Sequence, residues 1–281
     1  VNGVNVTVTS DVPEGIGLGA SQAVGVALAT ALSVVFGFVL DPLEAAQIAY
    51  YVEHTFLELP VGFGSFLASS IVRDGHVLFL DTHRLDWDHV PDNLDGATIF
   101  GINTHAPSAL TPAEEAERQE ECAHCLEVLT GRKNGCSFQE FSAEEISTSI
   151  GKVPEEARRY CLHIVAENER VLTAIAALKR ADLSRVGKLL TESHESLRDL
   201  YEGTSPEVDW LVKHAHLLPH VYGARLAGGS TGTCALVLGR PEAQTGLEAL
   251  LHEYERIFGF HPEVLPCRPG GGVRIEVREG T

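Results

Sequence analysis

Between an alternating run, Val4, Val6 and Val8, and a long apolar stretch lies Pro13-Glu14-Gly15-Ile16-Gly17-Leu18-Gly19-Ala20-Ser21-Gln22-Ala23. Glycine at every second position lets the backbone take positive φ and come close to a ligand, with successive N–H groups free to point at one anion. A helix opening near Ser21 adds its unpaired N–H groups and the positive end of its dipole. The pattern therefore suits a phosphate. On the loop alone, a turn that merely joins strand to helix stays open. No Lys-Ser or Lys-Thr pair follows the glycines, and their spacing differs from that of the dinucleotide loop.

Length and charge narrow the partners. The 281 residues are 44% hydrophobic, enough for two ordinary domains. A net charge of −18 repels nucleic acid and anionic lipid, so neither is expected as a partner. Six cysteines, at positions 122, 125, 136, 161, 234 and 267, are dispersed in a chain with a full complement of apolar residues. No disulfide framework is required, and a reducing cytoplasm fits. The sequence has no methionine and starts at a valine, from which an upstream segment is expected. Ala23 to Leu40 carries no charge and approaches membrane-spanning length. Its Gly25, Thr30, Ser33 and Gly37, with no basic flank, favour a buried helix.

Periodicity and caps predict the remaining elements. A helix from Pro42 to Leu57 starts behind Asp41 as cap, and Val61-Gly62-Phe63-Gly64-Ser65 precedes a short helix. Strands are expected at Val77 to Leu80 and Thr98 to Asn103, with the acidic stretch Asp86 to Asp95 as the boundary between domains 1–95 and 96–281. Helices follow at Pro112 to Leu129, Glu155 to Lys179, Asp182 to Tyr201 and Val208 to His216. Arg225 to Ala227, a second glycine loop and the strand Cys234 to Leu238 come next. A helix from Glu242 to Phe258 and strands Glu263 to Cys267 and Val273 to Val277 end the chain. The mixture lacks strict βαβ alternation and reads as α+β.

The second loop, Leu226-Ala227-Gly228-Gly229-Ser230-Thr231-Gly232-Thr233-Cys234, has small side chains that permit close packing. Together the two loops and their flanks resemble the galactokinase branch of the GHMP small-molecule kinases. That family's phosphate loop reads Pro-x-Gly-x-Gly-Leu-(Ser/Gly)-Ser-Ser-Ala-Ala, matched here by Pro13, Gly15, Gly17, Leu18, Gly19, Ser21 and Ala23. Glu53-His54-Thr55-Phe56-Leu57 and Pro60-Val61-Gly62 parallel its Glu-Asn, aromatic and Pro-Cys-Gly run. Asp81 with Arg84, Asn103-Thr104, Ser108, Leu110, Arg118, Glu121-Cys122 and the Ser193-His194-x-Ser196-Leu197 helix are similar as well.

The resemblance implies a two-domain fold, with a ribosomal-protein-S5-like N-terminal domain, incomplete in this sequence, and a ferredoxin-like α/β C-terminal domain. It implies a nucleotide cleft between them, ATP and Mg²⁺ as cofactors, and a sugar or related polyol as substrate. Gly15, Gly17, Leu18, Gly19, Ala20 and Ser21 would take the nucleotide, with Ser21 and Glu53 toward the metal. Gly62, Glu115, Gly228 and Gly229 would lie on the substrate side.

Departures fall at the chemistry. Ser65 stands where galactokinases have their catalytic aspartate, and Glu115 where they have a sugar-contacting tyrosine. Gln22 and Ala20 replace an alanine and a serine of the phosphate loop. Serine cannot take a proton as a carboxylate does, although phosphoryl transfer leans mostly on positioning and charge stabilisation. The reading is a galactokinase-like kinase that is not a standard galactokinase, the alternative being a catalytically silent relative used for ligand or protein binding. Cys122-Ala-His-Cys125 with His214, His216 and His220 is a weaker zinc pattern, because no second CxxC accompanies it.

Overall fold

The computed structural model describes residues 3–131, 137–149 and 151–276. The chain forms two compact units: one runs to Asp92 and takes back the segment from Pro269, and the other is Asn93–Arg268.

The first unit is built on three helices and a hairpin. Helix α1 (Ala20–Val35) buries Val26, Thr30 and Ser33. Helix α2 (Pro42–Tyr50) opens with Pro42 behind an Asp41–Glu44 capping box, which satisfies amides that the first turn would leave unpaired. It runs on into a wide π-helical turn, Tyr51–Phe56. Gly25 on α1 lets Ala49 of α2 come so close that an added Cβ would lie 3.1 Å from the alanine methyl. Helix α3 (Gly64–Ile71) follows, then the antiparallel strands β1 (His76–Asp81) and β2 (Asp86–Pro91). Val26, Ala46, Ala49, Phe66 and Leu67 make the core.

Two expectations change here. Val4, Val6 and Val8 alternate as a strand would, yet residues 3–10 pair with no strand among the described residues and these valines are exposed. Alternation marks a face, but a strand exists only where a neighbour completes the hydrogen-bond ladder. The first part of the acidic boundary stretch, Asp86 to Pro91, is strand β2, with Val90 buried, and the division between the two units falls at Asp92 and Asn93, within that stretch. The segment from Pro269 forms no strand; instead the Gly272 and Val273 amides donate to the Val72 and Ser70 carbonyls at 2.7 and 3.2 Å. Val277, the end of that expected strand, lies outside the described residues. As for Ala23 to Leu40, no helix among the described residues is long and apolar enough to cross a membrane, and Val35 and Val39 are exposed.

The second unit centres on a four-stranded antiparallel sheet. Its order is β4 (Val221–Leu226), β5 (Cys234–Gly239), β3 (Thr98–Asn103), β6 (Glu263–Cys267). Among the described residues six helices complete it: α4 (Pro112–Thr130), α5 (Ala143–Ser147), α6 (Glu155–Lys179), α7 (Leu183–Asp199), α8 (Pro206–His216) and α9 (Gln244–Phe258). Helix α4 has the same start as α2, with a Thr111–Glu114 box and Pro112. Helix α7 lies so tightly on β4 that Cβ atoms at Gly187 and Gly223 would collide with the facing backbone. The core runs from Phe100 and Ile102 on the sheet through Leu211, Leu247 and Tyr254 on the helices.

Candidate functional site

The first glycine loop adopts the conformation that its composition calls for. Gly15, Gly17 and Gly19 have φ of 75, 87 and 78°, all left-handed, and Gly19 is the residue that caps α1. Ile16 is buried and pins the loop, while Gly15 and Gly17 face solvent. Leu18 and Ala20 are half-buried between them. No acidic residue sits in the first turn of α1, so nothing in that turn opposes an anion at the helix end.

Behind the loop lies one buried carboxylate. Glu53, 8% exposed, comes from the π-helical turn Tyr51–Phe56, whose extra residue per turn sets it apart from the register of α2. Its Oε2 accepts hydrogen bonds from Ser21 Oγ at 3.3 Å and from Gln22 Nε2 at 2.8 Å. Ser65, exposed in the first turn of α3, stands beside Gly19: a Cβ built on that glycine would lie 3.7 Å from the Ser65 Cβ and 3.6 Å from Gln22 Oε1. Gly62 has open space around it. Ser21, Gln22, Glu53 and Ser65 are thus brought together on three different elements. Their hard oxygen donors are of the type that Mg²⁺ prefers, so Ser21 and Glu53 fit such a cation.

Asp81 and Arg84 do something else. Asp81 Oδ1 accepts from the backbone amides of His83 and Arg84, each at 3.0 Å, and so shapes the turn between β1 and β2.

The second glycine loop belongs to the other unit and is held by several hydrogen bonds within it. Gly228 and Gly229 are left-handed, and Gly229–Thr231 forms a single 3₁₀ turn. Ser230 Oγ donates to Glu115 Oε2, while Glu115 Oε1 accepts from the Tyr201 hydroxyl at 3.0 Å and Gln119 Nε2 at 2.9 Å. Ser108 Oγ donates to the Thr231 carbonyl at 2.9 Å and Thr104 Oγ1 to that of Thr233 at 2.6 Å. Burial and the neighbouring Glu115 carboxylate push the Tyr201 phenol well above its usual range, so it stays a donor. Its ring lies beneath the Arg118 guanidinium, 5.5 Å from centroid to carbon. Glu115, placed on the substrate side from the sequence, is here supplied with three donors from its own unit.

One contributor escaped the sequence. Gln22 read only as a departure, and its donation to Glu53 is set by helix packing in space. His194, in the Ser193-His194-x-Ser196-Leu197 segment, is buried and accepts the Leu226 amide at 3.3 Å through Nδ1, with its Nε2 3.1 Å from Asp209 Oδ1 but without a hydrogen bond between them. That ring steadies the entry to the second loop.

The zinc pattern finds no counterpart. Among the described residues no group of three or more His, Cys, Asp or Glu side chains is arranged to hold a metal. Cys122 and Cys125 meet the Cys161 thiol in the core, and His214 stacks on Trp210 with centroids 4.1 Å apart. Cys136 lies outside the described residues.

Residues 2–69 match the GHMP kinases N terminal domain and residues 174–256 the GHMP kinases C terminal domain. The chain belongs to the GHMP kinase family. A galactokinase of Thermotoga petrophila is 36% identical over 261 residues, a span of 92% of this chain and 72% of the relative. A galactokinase of Clostridium perfringens is 32% identical over 237 residues, covering 84% of this chain and 61% of its own. The crystal structure of Lactococcus lactis galactokinase complexed with galactose superposes with a TM-score of 0.88 at 28% identity, over 93% of this chain and 68% of that one. Homoserine kinase from Cytophaga hutchinsonii, at 16% identity and a TM-score of 0.59, shares the fold over 91% of this chain and 67% of its own. This GHMP kinase is therefore galactokinase-like, a sugar kinase by kinship, and ATP use is implied by the family.

Proposed function

We propose that this GHMP kinase transfers the terminal phosphoryl group of ATP to a hydroxyl of a sugar or sugar-like polyol, and that it is not a standard galactokinase. The observation that carries the reading is the phosphate loop: three left-handed glycines opening onto the N-terminus of α1, with Ser21 held by a buried Glu53. Backbone amides in that arrangement favour the triphosphate without any basic side chain. Ser21 and Glu53 would hold Mg²⁺, which would supply charge neutralisation on the phosphates.

The departure from galactokinase rests on Ser65. Placed beside Gly19 at the loop, its hydroxyl can hold and orient an acceptor hydroxyl by hydrogen bonding, but it takes up no proton at neutral pH. A rate contribution of roughly 10²–10⁴-fold from a carboxylate base would be missing, so the sugar must be positioned well or be intrinsically easier to phosphorylate. Gly62, Gly228 and Gly229 remain the substrate-side residues in this reading.

The test is the purified chain with ATP, Mg²⁺ and a panel of sugars that includes galactose. Phosphorylated product from a sugar other than galactose, abolished by Ser21→Ala, is expected. No product with any sugar would favour the second reading, a catalytically silent family member, which Ser65 specifically motivates. Brisk turnover of galactose would remove the distinction from standard galactokinases.

A further inference from the structure

Glu53 presents an electrostatic problem that the phosphate loop does not solve by itself. A buried carboxylate next to a loop that gathers phosphate oxygens puts like charges together, which in a partly desolvated place is unfavourable unless donors or a cation lie against it. Ser21 and Gln22 are successive residues at the start of α1, and both donate to the same oxygen of Glu53. The Gln22 amide makes the shorter bond, 2.8 Å against 3.3 Å, and its other end, Oε1, faces the Gly19 position beside Ser65. An alanine at position 22 would leave Glu53 with the serine hydroxyl alone among these two donors.

We infer that Gln22 is a positioning residue that partly substitutes for a divalent cation at Glu53, lowering the dependence of nucleotide binding on Mg²⁺. The inference rests on the nucleotide reading given above. With its oxygen already engaged by two donors, Glu53 gains less when a cation arrives, and repels a cation-free triphosphate less. The amide reaches the carboxylate from the first turn of α1, the same turn that carries Ser21. Gln22 touches no reacting atom; it acts through Glu53.

Calorimetric titration of the whole chain with ATP in Mg²⁺ and with ATP in EDTA gives a ratio of dissociation constants that isolates this effect from catalysis. Gln22→Ala is expected to raise that ratio by about tenfold, the worth of one hydrogen bond to a charged acceptor, almost all of it from weaker binding in EDTA. Gln22→Glu keeps the shape, removes the donor and adds charge; it should raise the ratio further. Thermal melts check that both variants fold, and Gln22→Ala carries the test if the glutamate variant does not. A ratio unchanged in Gln22→Ala overturns the inference while leaving nucleotide binding intact. Absence of binding by the unaltered chain in both buffers would bring down the nucleotide reading and this inference with it.

Discussion

The two glycine loops look alike in sequence and use glycine for opposite purposes. In the first, Gly15 has nothing within 4 Å of an added Cβ, and its left-handed φ is the whole reason for glycine. In the second, a Cβ on Gly232 would land on the Ala227 carbonyl oxygen, whereas Gly229 has open space around it as Gly15 does. Gly15 leaves the first loop open, and Gly232 lets the second close on itself. An open loop with aligned amides is where a ligand can be taken up; a packed and hydrogen-bonded loop is a fixed wall.

Gly232→Ala should be the most damaging single change. Backbone must move to admit the methyl, at a cost of about 3 kcal/mol or outright failure to fold. Urea unfolding measures it, and a loss below about 1 kcal/mol would mean that the second loop is not packed as described. Glu115→Ala comes next, because it strips the acceptor from Ser230, Tyr201 and Gln119 together and leaves the Tyr201 hydroxyl without its partner. A loss of about 2 kcal/mol is expected, with faster amide hydrogen exchange across residues 228–233. Unchanged exchange there would break the claim that Glu115 fastens the loop. Gly15→Ala should be the mildest for stability, about 1 kcal/mol from left-handed strain in open space. Its main effect falls on function: ATP affinity should drop about tenfold as an amide leaves its place. Equal effects of Gly15→Ala and Gly232→Ala on stability would erase the contrast.

Helices were the most legible part of this chain. Asp41-Pro42 and Thr111-Pro112, each with glutamate three residues after the cap, announce their starts locally, and both helices begin there. Strand β3 (Thr98–Asn103) also lies where its run of apolar residues puts it. The valines at positions 4, 6 and 8 show the limit, since pairing depends on what lies alongside. Acidic composition at Asp86 to Asp95 pointed to the division at Asp92 and Asn93 but gave no sign of strand β2 within it.

The candidate site divides in the same way. Positive φ at Gly15, Gly17 and Gly19, and the likeness to galactokinases, follow from the order of residues, because steric limits on the backbone are local. The partners of Glu53 and Glu115 do not. Hydrogen bonds between side chains 31 and 86 residues apart depend on a π-helical turn and on helix packing that no short window contains. Sequence alone determined the helix starts, the glycine conformations and the family; tertiary structure decided which carboxylate serves the open loop and which one fastens the closed loop, because that choice is made by distance in space.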